Sequence, residues 1–154
     1  MTHAVEGFIA RSNDLERKSS AISGSKIAVL NQGFSILPVT DDFAEAMAVD
    51  GRTRLVYVEF RKLDSSLEKL ALEWSAEFPL VYFETDYFGG WGSQAAILYS
   101  GGSVEIGPTK GDVGIINTAL RELGATQESG MDEFDSIGLQ RFRTTDDWIK
   151  QPAY

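Results

Sequence analysis

The chain lacks cysteine altogether and carries one histidine, and no apolar run approaches the ~20 residues needed to cross a bilayer. Without cysteine there is no disulfide, no thiolate zinc site and no cysteine nucleophile. The lone imidazole, His3, stands beside the start of the chain, where fraying is expected, so a serine triad or a histidine zinc site has nothing to work with. The opening segment also lacks a basic stretch followed by an apolar core, which makes the cytoplasm the expected compartment.

Positive charge is scarce too. Lys and Arg number 14 against 23 Asp and Glu, for a net charge of −9. The deficit is uneven: residues 1–72 hold ten acids and nine bases, residues 73–147 thirteen acids and four bases. A field of this sign repels nucleic acid and anionic membranes; it either draws a basic protein partner toward the second half of the chain or serves simply as a solubilising surface.

What is present reads as one α+β domain, a largely antiparallel sheet flanked by helices. Strands are expected over 5–11, 26–30, 34–39, 53–60, 81–86, 94–99 and 103–106, the fourth being rich in β-branched and aromatic residues. Helices are expected after Ser12 or Asn13, after Thr40-Asp41-Asp42 with Asp50-Gly51 as its stop, and after Asp64-Ser65-Ser66. In the third, Leu67, Leu70, Ala71 and Trp74 follow helical spacing and belong to the core, and Pro79 ends it. Another helix runs from Asp112 or Gly114 to Gly124, with shorter turns near 132–137 and after Thr144-Thr145. No repeat or long linker interrupts the pattern.

The segment 80–99 stands out, setting Glu84, Asp86, Tyr87, Phe88 and Trp91 around Gly89, Gly90 and Gly92, between two apolar runs. The glycines lack the spacing of a dinucleotide loop and open onto a strand, so they read as a hairpin turn. Tyr87, Phe88 and Trp91 stand near its rim, either as interface anchors or with the tryptophan folded back into the core. Glu84 and Asp86, two apart, share one strand face that reads as solvated. Paired carboxylates there are compatible with a divalent cation or acid–base work, or with contact to a partner. Asp132-Glu133-Phe134-Asp135 fails the ligand spacing of a calcium loop and reads as an acidic first helical turn. Arg141 and Arg143, the basic pair of the acidic half, are expected to neutralise Asp132, Glu133 and Asp135, or to bind an anion.

Two segments taken together, 84–96 (ETDYFGGWGSQAA) and 132–148 (DEFDSIGLQRFRTTDDW), with the helix at 116–124 between them, resemble a group of small acidic uncharacterised bacterial proteins. That group is similar in size and acidity to the immunity proteins of bacterial toxin systems. The resemblance implies a toxin-neutralising protein, monomeric or homodimeric, that occludes a basic effector domain and needs no cofactor, metal or catalytic residue. Its contacts are expected at Glu84, Asp86, Tyr87, Phe88, Trp91, Asp132, Glu133 and Asp135. Two other readings stay open: an enzyme-like domain binding a ligand or metal with Glu84, Asp86 and Arg143, and a structural subunit of a phage or secretion assembly.

Overall fold

The pattern of apolar residues on two faces of the central strands determines the architecture. In β2 (Glu6–Arg11), Phe8 and Ala10 enter one core cluster while Ile9 enters another. In β5 (Leu80–Phe88), Leu80 and Tyr82 face the first cluster, Val81 and Phe83 the second. A strand apolar on both faces needs cover on both.

The computed structural model describes residues 2–48 and 53–150. Its seven strands form one sheet in the order β3-β4-β2-β5-β6-β7, and every pairing between them is antiparallel. Here β3 is Ala28–Val29, β4 Phe34–Pro38, β6 Trp91–Ser100 and β7 Ser103–Gly111. The seventh strand, β1 (Thr2–His3), continues β2 alongside β5, pairing His3 with Tyr87. Helices α1 (Ser12–Ser19), α2 (Asp41–Met47) and α3 (Ser65–Ser75) bury Leu15, Phe43, Leu67, Ala71 and Trp74 on one face. Helix α4 (Ile115–Leu123) buries Ile116, Ala119, Leu120 and Leu123 on the other, joined there by α5 (Glu133–Ile137) and α6 (Thr145–Ile149) through Ile137 and Trp148. The α+β domain with its antiparallel sheet is therefore as the sequence implies.

Most caps follow local chemistry. Thr40, Asp64, Asp132 and Thr144 each accept a hydrogen bond from the backbone N–H three residues on, and Gly124 closes α4 in the left-handed region. Helix α1 differs: the chain turns from β2 into it without a side-chain cap, and Ser12 Oγ instead meets Ser35 Oγ at 2.7 Å. The expected stop of α2 at Asp50-Gly51 lies outside the described residues.

One expected strand is absent. Residues 53–60 form no ladder, only an isolated bridge between Leu55 and Asp64. The segment crosses the face carrying α2 and α3, sinking Phe60 onto Tyr82 (ring centroids 5.2 Å) while Val58 stands 95% exposed. Burial of Phe60 and Leu63 and the ties of Arg61 and Lys62 override the strand propensity of the sequence. The strand expected over 26–30 shrinks to Ala28–Val29.

The β5–β6 hairpin is longer than expected, with Phe88 opposite Trp91 across a two-residue turn. Gly89 and Gly90 both have positive φ (58° and 85°), the requirement of a turn that matches strand twist. Gly92 has a different role: at φ 146°, an added Cβ would lie 1.9 Å from the Asp86 carbonyl oxygen. Gly92→Ala should therefore disrupt the end of the hairpin and lower the melting temperature sharply. Gly90→Ala, with open space around it, should cost only ~1 kcal/mol. Thermal melts of the two variants, side by side, check the ranking.

Candidate functional site

The two faces of the hairpin end carry different surfaces. By strand alternation Asp86, Phe88, Trp91 and Ser93 continue the face of Tyr82 and Ile97, beyond the reach of α3. Phe88 is 76% and Trp91 84% exposed, and next along that face is a small polar hollow lined by Val58, Arg61, Asp86, Ser93 and Lys110, with the buried Glu84 also in its wall. Tyr87 and Gln94 point the other way and form part of a cleft of ≈ 580 Å³, walled by His3, Val113, Asn117, Asp132, Phe134 and Arg143.

Glu84 does not join the exposed surface. It is 3% exposed, and its oxygens accept from the backbone N–H groups of Arg61 (2.8 Å) and Lys62 (3.0 Å) and from the Tyr82 hydroxyl (2.7 Å). Directly across the ladder stands Glu6, also buried, bound by Arg61 Nη2 at 2.9 Å and Lys62 Nζ at 2.5 Å. Thr145 donates to Glu6 Oε2 and accepts from the Glu6 N–H, so the start of α6 is tied to the same point. Burial by itself would lower both cations, but Glu6, with Glu84 beside Arg61 and Asp41 beside Lys62, raises them above their ordinary values. The solvated face expected at Glu84 is thus a buried ion network. Asp86, two residues on, is exposed and 3.8 Å from Arg61 Nη1.

The acidic first turn expected at 132–135 is present in α5, but Glu133, expected among the contact residues, is buried as Glu84 is. Glu133 is 2% exposed and accepts from Arg121 Nε at 2.9 Å and Gln127 at 3.3 Å. Burial pushes its carboxyl up, yet these bonds and its own backbone N–H hold it below the usual glutamate range. Asp132 caps α5 and also accepts from Asn117, while Asp135, half-buried beside it, is shifted upward by burial and by the Asp132 charge. The cation of this helix is Arg121, not the Arg141–Arg143 pair. Arg141 lies over Trp148 (5.7 Å) and donates to the Val29 carbonyl. Among the expected contact residues only Asp86, Phe88, Trp91 and Asp132 are exposed, and Asp132 opens on the opposite side of the hairpin from the other three.

No family model, curated protein or solved structure matches this chain. Among the described residues no group of three or more His, Cys, Asp or Glu side chains is arranged to hold a metal ion, and no helix is long and apolar enough to cross a membrane.

His3 is the residue that sequence reasoning set aside. It is not frayed: Nδ1 lies 2.7 Å from Thr85 Oγ1, Nε2 3.3 Å from the Leu139 carbonyl, and the ring meets Phe134 edge-on at 5.5 Å. Arg61, Lys62 and Asn117 were equally silent in the sequence. A glutamate next to the apolar run Gly7–Ala10 of the first strand (Glu6) is the signal that a buried cation partner had to exist.

Two expectations follow from this geometry. Glu84→Ala leaves three donors without an acceptor and should cost ~3 kcal/mol or more in urea unfolding, whereas Asp86→Ala on the same strand face should stay within ~0.5 kcal/mol. Burial foremost, then the Arg143 charge, lower the His3 pKa against the raising effect of the Leu139 bond. The folded value then lies below the unfolded one, so the stability it contributes is complete above ~pH 6.5 and is lost as the pH falls through the folded value. Unfolding midpoints between pH 7 and 5 should decline less steeply for His3→Gln than for the parent.

Proposed function

We propose that this chain is a binding protein that neutralises a basic protein partner, in the manner of an immunity protein occluding a bacterial toxin domain, and that it docks by the tip of the β5–β6 hairpin. The carrying observation is the pair of aromatics facing each other across the turn: Phe88 and Trp91 are 76% and 84% exposed, side by side on one face. Burying a side chain of this size is worth ~1.5–3 kcal/mol, and the fold leaves both in water at the end of a rigid ladder. Val58, in the loop beside the same hollow, adds a third apolar side chain to the patch.

The surroundings fit a protein partner. Exposed aromatics next along the strand face to a hollow lined by Glu59, Arg61, Asp86 and Lys110 have the composition of an interface whose energy is concentrated in a few residues. The net charge of −9 supplies the long-range attraction toward a basic surface, and the aromatics supply slow dissociation. The contact set is smaller than the sequence suggests, namely Asp86, Phe88 and Trp91 together with Val58. Glu84 and Glu133 act inside the fold. The three residues of the enzyme-like alternative do not share one site: Glu84 and Asp86 line the hollow, and Arg143 lines the cleft on the other side of the hairpin.

The test is growth rescue. A toxin domain encoded beside the gene for this chain is expressed in bacteria with the parent protein, with Phe88→Ser/Trp91→Ser, or with Asp132→Asn. Protection by the parent and by Asp132→Asn, lost in the aromatic double variant while its melting temperature stays within a few degrees, supports the reading. Equal protection by the double variant, or none by the parent, overturns it. In purified form the double variant should bind the partner at least ~100-fold more weakly.

A further inference from the structure

The cleft on the reverse side of the hairpin has a built interior and one cation left over. Its polar lining groups are mostly engaged with one another. Asn117 accepts from the Phe134 N–H (2.8 Å) and donates to Asp132 Oδ2 (3.1 Å), whose other oxygen caps α5. Gln94 accepts from the Ile116 N–H and donates to the Tyr87 hydroxyl, both at 2.7 Å, and that hydroxyl donates to the Asp112 carbonyl. His3 is held by Thr85 and Leu139. These bonds fix the walls. Between them Val113, Phe134 and the His3 ring present apolar surface, and Val113 is 80% exposed.

Arg143 is the exception. Its backbone is anchored, with the Ala4 N–H donating to its carbonyl at 2.7 Å beside an isolated bridge from Ala4 to Thr144. Its guanidinium, by contrast, makes no ion pair or hydrogen bond among the described residues. Gln140, on the same wall, likewise has its amide unengaged. In a chain where acids outnumber bases 23 to 14, an arginine without a carboxylate at the edge of an apolar cleft is a donor in search of one. The positive end of α4 opens on the same space, at Gly114 and Asn117. The one carboxylate there, Asp132, is engaged at both oxygens by Asn117 and the α5 backbone.

We infer that this cleft binds a small organic anion: a carboxylate pairs with Arg143 and Gln140, and an apolar or aromatic body lies against Val113, Phe134 and the His3 ring. The volume of ≈ 580 Å³ suits a ligand of one or two rings, inside the ~300–1,000 Å³ range of small-molecule sites. This inference is independent of the docking surface, which uses the opposite face of the hairpin.

Three probes that share one ring system and differ in head-group charge test it: 2-naphthoate, 2-naphthamide and 2-naphthylmethylamine. Each is titrated into the full chain while backbone amide shifts are followed at Ala4, Gly114 and Asn117. The expected result is saturable shifts with naphthoate and binding at least about tenfold weaker for the amide and the amine. Arg143→Gln should lose about tenfold in naphthoate affinity with an unchanged melt. Arg141→Gln, whose arginine packs on Trp148 rather than in the cleft, should keep it. Absence of saturable naphthoate shifts into the millimolar range, equal binding of the amine, or an Arg143→Gln variant that binds as the parent does, each overturns the inference.

Discussion

Two glutamates facing each other across neighbouring strands, inside the protein, would repel and be driven to take up protons if left alone. Glu6 and Glu84 are register partners on β2 and β5, and both are buried. What makes the pair stable is the delivery of Arg61 and Lys62 by a loop from outside the sheet. The loop supplies two charged heads and two backbone N–H groups, so the carboxylates are neutralised and hydrogen-bonded together, the condition under which buried charge is tolerable. Thr145 ties the last helix to the same atoms. The network therefore joins three parts of the chain that no apolar pattern relates: the central strands, the crossing loop and α6.

That dependence explains where sequence reading succeeded and where it stopped. Periodicity and caps carried the sheet and its helices because those signals are local: Asp64 before a helical stripe, Gly89-Gly90 between two apolar runs, Gly124 after Leu123. Residues 53–60 have an equally clear local signal, and it misled. Their conformation is decided by Phe60 on Tyr82 and by the cations that follow, contacts more than twenty residues away in sequence. The candidate site shows the same division. The hairpin that carries Phe88 and Trp91 is locally encoded, but that both aromatics stand in water while Glu84 and Glu133 do not depends on which distant elements reach them, Arg61, Lys62 and Arg121 covering the carboxylates. His3 looked like a frayed end because nothing near it in sequence holds it. Its partners are Thr85, Phe134 and Leu139.

The hairpin itself is a rigid partition. Its ladder runs in unbroken register from Leu80 paired with Tyr99 to Phe88 paired with Trp91, with Gly92 pressed against the β5 backbone near the tip. A partition of this kind presents one chemistry on each side without mixing them. Alternate residues along the same strand line an exposed aromatic patch on one side and the cleft on the other, and a substitution on one face leaves the other in place.

The strands at the two ends of the sheet are built differently. β3 is two residues long, too short to template another chain. β7 is nine residues and largely exposed, which in a flat strand would invite edge-to-edge polymerisation of the protein with itself. Its pairing with β6 instead slips at Leu98, it carries Pro108 where no N–H can be offered, and Glu105 and Lys110 place charge along it. A growing fibril needs a straight, uncharged row of donors and acceptors, and this border supplies none. The chain is thus guarded against pairing with copies of its own sheet even when it is concentrated.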